Sequence, residues 1–342
     1  MTTAPPVHAT PMPASRRVSR RTVLGAVAGT LAGMPVAGRA QTGTDWPNQA
    51  VRYVNLFPPG GATDTLSRFY CAKMSEIAGQ QFVVENRSGS GGVVGSDVIA
   101  KSRPDGYTIG LGSIASHSIA PTLYANLPYD AARDFTYVSG LWQLPNLLVV
   151  NNDLPVHSVP ELIALLKANP GKYAYGSSGA GTTPHLSGEL LKQMAKLDIL
   201  HVPYRGGAPA LLDLMAGRVQ LIMDNIPGLL PAARDGKVRA LAVTGPERSP
   251  VVPELPTMAE FLPGFMMTSW GAVCGPAGLP PPMVERLSAF SKRALENPDL
   301  VRGYRELGAT PWWTTPEEVT AFRAREEARL APVIRASGAR VE

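Results

Sequence analysis

From Val51 onward the apolar positions form short runs that alternate with amphipathic stretches, and glycine and proline mark the joins. Val51 to Phe57 is an apolar-rich run of strand length, Pro58 to Thr63 a loop, and Asp64 to Ala78 a helix with Asp64 as an early anionic cap. Gln81 to Asn86, the loop Arg87 to Gly92, the segment Val93 to Ser102 and the strand Tyr107 to Ser113 repeat that order. A long stretch, Asp134 to Asn151, carries the chain onward. A second series then follows: helix Val159 to Asn169 ended by Pro170-Gly171, strand Tyr173 to Ser178, helix Leu186 to Lys196, strand Ile199 to Tyr204 and helix Pro209 to Ala216. Strands Val219 to Asn225 and Val238 to Gly245 complete it. A strand-like run, Met266 to Cys274, precedes helices Pro282 to Glu296 and Pro316 to Ser337.

Alternating strands and helices with short connections predict α/β architecture, with mostly parallel sheets flanked by helices. The chain has 342 residues, 44% of them hydrophobic, which exceeds one ordinary compact domain and predicts two. The first comprises residues 41–141 and is completed by the helices of 262–342; the second is a contiguous insertion, 142–261.

Charge changes the picture only at the N-terminus. The net charge of +5 would favour acidic partners. Five arginines, Arg16, Arg17, Arg20, Arg21 and Arg39, lie in residues 1–40 with no acidic residue, so removing five from 32 leaves 27 basic against 27 acidic residues. The remainder is neutral, with 7% aromatic residues, which removes the general argument for nucleic-acid binding. Residues 1–40 have the order of an export signal: a basic start, an apolar Gly/Ala-rich stretch from Val23 to Ala37, and the small-x-small site Gly38-Arg39-Ala40. Cleavage is expected before Gln41, giving a periplasmic product. Ser19-Arg20-Arg21-Thr22-Val23-Leu24 resembles the twin-arginine signature. The apolar stretch falls short of the ~20 residues that span a bilayer, which disfavours an anchor. Cys71 and Cys274 lie far apart without zinc-ligand spacing, and read as packed small hydrophobes rather than a metal site or a disulfide.

Candidate chemistry lies where strands meet helices. Pro58-Pro59-Gly60-Gly61-Ala62-Thr63-Asp64 joins a buried strand to a helix, and its glycines permit close approach of backbone N–H groups to a ligand. The first N–H groups of a helix lack internal partners and sit at the positive end of its dipole, so a carboxylate fits there. A plain tight turn is the bland alternative. Ser177-Ser178-Gly179-Ala180-Gly181-Thr182-Thr183-Pro184 repeats the device with added hydroxyls and with Pro184 in the first helical turn. Two such loops facing one another across a cleft would let one carboxylate favour a closed arrangement.

Three segments carry a family resemblance: Phe57 to Asp64; Tyr175-Gly176-Ser177-Ser178-Gly179 with Thr183-Pro184-His185-Leu186; and His201-Val202-Pro203-Tyr204-Arg205-Gly206. From about Trp46 to the C-terminus the chain resembles the tripartite tricarboxylate transporter receptors, the Bug family of periplasmic solute-binding proteins. The resemblance implies a Venus-flytrap fold, a periplasmic-binding-protein architecture with its ligand cleft between two domains. It also implies a small carboxylate ligand held by both loops, partly through ordered waters, and membrane permease subunits that receive it.

The implied substrate-binding residues are Pro59, Gly60, Gly61, Ala62 and Asp64 of the first loop, with Ser113, Ser116 and His117 after the third strand. Ser178, Gly179, Thr182, Thr183 and His185 belong to the second loop, and Asp224 completes the set. This chain departs from the family at Ser116-His117-Ser118-Ile119-Ala120-Pro121, where Thr-His-Ala-Ile-Asn-Pro is usual, at Arg205 for a common lysine, and at Ile222-Met223-Asp224-Asn225 for Met-Phe-Asp-Asn. Asp224 reads equally as an acceptor for a ligand amine or hydroxyl and as a strand-end carboxylate capping Ile226 to Ala233, and loop histidines such as His117 and His185 often satisfy local backbone groups.

No catalytic residue, metal or cofactor is expected, and the protein is expected to be monomeric. A hydrolase would find its residue types in Ser116, Ser178, His117 and His185, but no Gly-x-Ser-x-Gly elbow occurs. Gly110-Leu111-Gly112-Ser113-Ile114-Ala115 fits only a relaxed dinucleotide fingerprint. A receptor that reports its ligand to a sensor kinase remains an alternative to one that feeds a permease.

Overall fold

The structure is a computed structural model that describes residues 46–341; the arginine-bearing leader and the expected cleavage site lie outside the described residues. Its first series is β1 (Val51–Asn55), α1 (Ala62–Ala78), β2 (Phe82–Asn86), α2 (Val93–Ala100), β3 (Thr108–Ser113) and α3 (Ala120–Leu123). β4 (Phe135–Val150) leads to α4 (Val159–Lys167), β5 (Ala174–Ser177), α5 (Thr183–Ala195), β6 (Leu200–Pro203), α6 (Gly207–Met215), β7 (Leu221–Asn225), α7 (Ile226–Arg234) and β8 (Arg239–Val243). The chain then returns through β9 (Thr268–Pro276), α8 (Pro281–Leu295), α9 (Pro298–Glu306), β10 (Thr310–Pro311) and α10 (Pro316–Ser337).

Local chemistry explains several of these boundaries. Gly79 ends α1 in the left-handed region at φ 69°, its N–H bonded to Ser75 O. Ser158 caps α4 by accepting from Glu161 N, and Thr315 with Glu318 forms a reciprocal capping box at α10. Sequence reading missed α9, although Asn297 caps it by accepting from Asp299 N and Leu300 N with Pro298 in the first turn. α5 begins at Thr183 rather than the expected Leu186, which places His185 inside the helix.

The strands form one path, β2-β1-β3-β9-β4-β7-β5-β6, with β8 and β10 also paired to β4. Parallel pairing is confined to β1 with β2 and β3, and to β5 with β6 and β7. The expectation of mostly parallel sheets therefore holds at the two ends and gives way in the middle, where β4 and β9 run antiparallel to each other and to their other neighbours. Helical crossovers bring successive strands back parallel, whereas β4 and β9 carry the chain in opposite senses between the two ends.

β4 changes partners along its length. Its residues from Phe135 to Pro145 pair with β9, ending at Pro145 opposite Thr268, while Asn146 to Val150 lie between β7 and β8. The boundary expected after residue 141 falls within this strand, a few residues short of the change of partners. A buried polar cluster occupies the junction. Asn146 Nδ2 donates to Ser187 Oγ (3.0 Å), Asn225 Nδ2 to Asn146 Oδ1 (2.6 Å) and Ser269 Oγ (2.8 Å), and Ser269 Oγ meets Thr183 Oγ1 (2.7 Å). The larger core runs from Tyr53 and Trp142 to Tyr175 and Leu186. A smaller one, including Leu147, Leu214, Ile222 and Ile226, lies by α6 and α7.

Both cysteines are free and buried, and burial pushes each thiol well above its ordinary pKa. The thiolate is the reactive form, so neither should react with a thiol reagent at pH 8 in the folded protein. Colorimetric titration is expected to find both thiols only after denaturation; rapid native labelling would contradict this packing.

Candidate ligand-binding site

The first loop leaves β1 at Asn55 and enters α1 at Ala62, and it is stapled from within. Gly60, at φ 78°, donates its N–H to Asp64 Oδ2 (2.9 Å), which also accepts from Arg68 Nε (3.0 Å). Asn86 Nδ2 reaches across from β2 to Asp64 Oδ1 (2.8 Å) and Phe57 O (3.0 Å). Burial alone would raise the Asp64 carboxyl, but the bonds from Arg68, Gly60 and Asn86 outweigh it and hold its pKa below the ordinary value. Asp64 is 3% exposed and its oxygens are engaged inside the protein, so it shapes the loop; Pro59, Gly60 and Gly61 are exposed at the turn, with Ala62 half-buried behind them. The Gly60 N–H is consumed by this staple, leaving the next N–H groups, at the start of α1, as the ones aligned with the helix dipole.

The second loop is built alike. Gly179 has φ 130° and Gly181 φ 76°, both in the region that favours glycine. Gly179 N–H donates to Ser177 Oγ (3.2 Å), Thr182 Oγ1 donates to Gly179 O (2.6 Å), and Gly181 N–H donates to His185 Nδ1 (3.2 Å). Ser178, Gly179 and Ala180 are half-buried at the turn; Thr182, Thr183 and His185 lie buried beneath it. This loop touches α3 and the segment before α2: a Cβ on Gly181 would fall 2.4 Å from Leu123 Cδ2, and one on Gly91 would fall 3.4 Å from Ala180 O.

Ser113, Ser116 and His117 stand deeper. Residues 115–119 form a wide turn closed by Ala120 N–H on Ala115 O, an i→i+5 π-turn of the kind frequent at functional sites. Ser113 Oγ meets Ser116 Oγ (3.0 Å), and His117 Nδ1 meets Ser116 Oγ (2.8 Å) and accepts from Ser113 N–H (3.3 Å). The His117 ring packs on Phe135, Tyr137 and Tyr129 and is fully buried. Burial, then the Arg323 charge, lowers its pKa to about 3, so the imidazole is neutral. Ser116 is sealed with it, which denies a hydrolase that pair as an accessible nucleophile and base. Asp224 is 9% exposed; Oδ1 accepts from Asn225 N–H (2.7 Å), and a Cβ on Gly207 would lie 2.7 Å from Oδ2. Burial raises its pKa to about 6 against the bonds from Asn225 and Ser178.

Sequence reasoning missed His201 and the pair Asn86 and Arg68 as parts of the site. His201 Nε2 lies 2.7 Å from Ser177 Oγ, directly behind the second loop. Among the described residues no group of His, Cys, Asp and Glu side chains has the arrangement of a metal site, and no helix is long and apolar enough to cross a membrane.

Residues 66–339 match the tripartite tricarboxylate transporter family receptor. The chain belongs to this receptor family. The R. palustris protein Rpa4515, solved with adipate, is 40% identical with a TM-score of 0.83, over 87% of this chain and 100% of that one. The periplasmic binding protein BugD is 32% identical with a TM-score of 0.81, over 87% and 100%. MatC from Rhodopseudomonas palustris, with bound malate, is 33% identical with a TM-score of 0.78, over 84% and 100%. The Bug resemblance read from the three sequence segments is thereby borne out, and the mixed α/β fold of this receptor is that of the periplasmic binding proteins.

Proposed function

We propose that the mature chain is a periplasmic receptor that captures a small carboxylate by closure of its two halves and delivers it to the membrane subunits of a tripartite tricarboxylate-type transporter. The observation that carries this reading is the paired loops. In both, glycine at positive φ (Gly60 in the first, Gly179 and Gly181 in the second) turns the chain into a helix N-terminus, and side chains bond the loop from within so that its outer N–H groups are held in place. The halves are residues 41–141 with 262–342, and 142–261, joined through β4. Gly61, Ala62 and Ser178 are the direct contacts, with Pro59 and Gly60 at the rim and Gly179, its own N–H held by Ser177, setting the turn. Asp64, Ser113, Ser116, His117, Thr182, Thr183 and His185 act behind them, and Asp224 borders the second loop. The receptor works as a monomer without a cofactor.

Charge-assisted hydrogen bonds contribute ~1.5–3 kcal/mol each, so three or four supply the ~8 kcal/mol of micromolar affinity without an arginine clamp. The adipate of Rpa4515 and the malate of MatC support a carboxylate ligand. Calorimetric titration of ligand-stripped protein with mono-, di- and tricarboxylates, amino-dicarboxylates and aromatic acids is expected to give saturable binding near micromolar, with the ligand recovered unchanged. Turnover of a bound acid would replace this reading with a hydrolase, and failure of the whole panel would remove the carboxylate site.

A further inference from the structure

Behind the second loop three rings stack. Tyr175 lies on His201 with centroids 4.8 Å apart, and His201 lies on His185 at 4.2 Å, each pair within 22° of parallel. Both histidines bond the loop: His185 Nδ1 accepts the Gly181 N–H, and His201 Nε2 meets the Ser177 Oγ that in turn accepts the Gly179 N–H. An imidazole that accepts at Nδ1 is neutral and carries its proton on Nε2. We propose that His185 and His201 are positioning residues for ligand capture. As a neutral stacked pair they hold Gly181 and Ser177 so that the loop presents its N–H groups to a carboxylate, and a proton on His185 releases the loop. This rests on the carboxylate reading of the loop.

The surroundings favour the neutral pair. Acting on His185 are Glu189 and Lys192 of α5 and His201 of β6; the Tyr175 hydroxyl of β5 donates to Glu189 Oε1 (2.6 Å), which also accepts from Lys192 Nζ (2.9 Å). Burial holds the His185 pKa below its ordinary value, opposed by Glu189 and assisted by Lys192. Burial, then His185 and Lys192, lowers that of His201 to about 3. Two imidazolium rings at 4.2 Å would also repel each other strongly. The sign follows from the depressed pKa: the loop-holding form is complete above the ordinary histidine value of ~6.5 and is lost as pH falls through the lower folded value. A histidine acting as a cation on the ligand would give the opposite slope, with anions bound more tightly on acidification.

The test titrates adipate and malate into wild type, His185→Asn, His185→Leu and His201→Gln between pH 5 and 8. Asparagine places Oδ1 where Nδ1 stands and glutamine places a polar ε atom where Nε2 stands, and neither titrates. Protonation of the ligand, and of Asp224 beside Ser178, affects every variant, so the readout is each variant's affinity relative to wild type. At pH 7.5 we expect His185→Leu to bind at least tenfold more weakly, and His185→Asn and His201→Gln to lie within about threefold of wild type. Toward pH 5, His185→Asn should overtake wild type. A constant His185→Asn ratio, affinity that rises on acidification in wild type alone, or normal binding by His185→Leu would each overturn the proposal. Nitrogen-15 spectra of the ligand-free imidazoles test it without any binding: the proton of His185 should reside on Nε2 at pH 7.5, and a protonated Nδ1 would refute the loop bond even if neither acid binds.

Discussion

Gly179→Val is expected to weaken carboxylate binding by at least a hundredfold while lowering the melting temperature by only a few degrees. Gly179 sits at φ 130°, which L side chains rarely adopt, and a Cβ there would lie 3.3 Å from Tyr204 O, a backbone atom that cannot swing aside. The strain is on the order of 1–3 kcal/mol, which the loop relieves by turning its peptide groups. That relief costs the protein little, because residues 178–180 are only half-buried. It costs the ligand nearly everything, because the same peptide groups carry the donors. Gly60 offers a graded comparison: its φ is 78° and a Cβ added there would meet nothing within 4 Å, so Gly60→Ala should incur only ~1 kcal/mol and about a fivefold loss of affinity. Calorimetry paired with thermal melts reads both, and wild-type affinity in Gly179→Val would remove the second loop from the site.

Asp64→Ala should cost the largest stability of any single change in the first loop, about 2–4 kcal/mol. It leaves Gly60 N–H, the Asn86 amide and the Arg68 guanidinium without their shared acceptor, and hydrogen bonds to a buried charged group contribute ~1.5–3 kcal/mol before compensation by water. Arg68 is largely exposed, so its share is the smallest. The folded pKa of Asp64 lies below the ordinary value, so its contribution is present above the unfolded pKa near 4 and is lost as pH falls through the folded value. Urea unfolding should therefore separate wild type from Asp64→Ala at pH 7 and show the gap narrowing as pH falls below 4 through the folded value. A difference undiminished by acid would mean that something other than the carboxylate is at work.

Much of this is legible in the sequence because it is local. The strand–loop–helix order around Gly60 and Gly179 follows from apolar runs ending in glycine, and helix starts at Ser158 and Thr315 follow from caps a few residues long. Asn297-Pro298 carries the same signal, and Leu300, Gly303 and Tyr304 share one buried face of α9, but that stripe is narrow and set among charged residues, so the segment reads as polar when taken as a whole. β4 resists for a different reason. No property of residues 135–150 says that Pro145 and Asn146 will face different partners; that depends on β7, β8 and β9, which lie far along the chain. His185 and His201 are visible as residue types, yet their stacking requires α5 to be packed across β5 and β6, a tertiary fact.

The place of β9 also bears on how the protein is made. β3 waits for a partner that begins at Thr268, and Gly110 and Cys274 stand 164 residues apart in the chain. At ~5–20 residues per second, a ribosome takes roughly ten to thirty seconds to cover that distance. Through that interval β3 has β1 on one side and a bare ladder of N–H and C=O groups on the other, the kind of edge that recruits a neighbouring chain. Strands β5, β6 and β7 are complete within about fifty residues of one another and bear no such delay. The nascent β1–β3 sheet therefore keeps an open edge far longer than the β5–β7 sheet does, and β3 gains its second neighbour only once β9 has been synthesised.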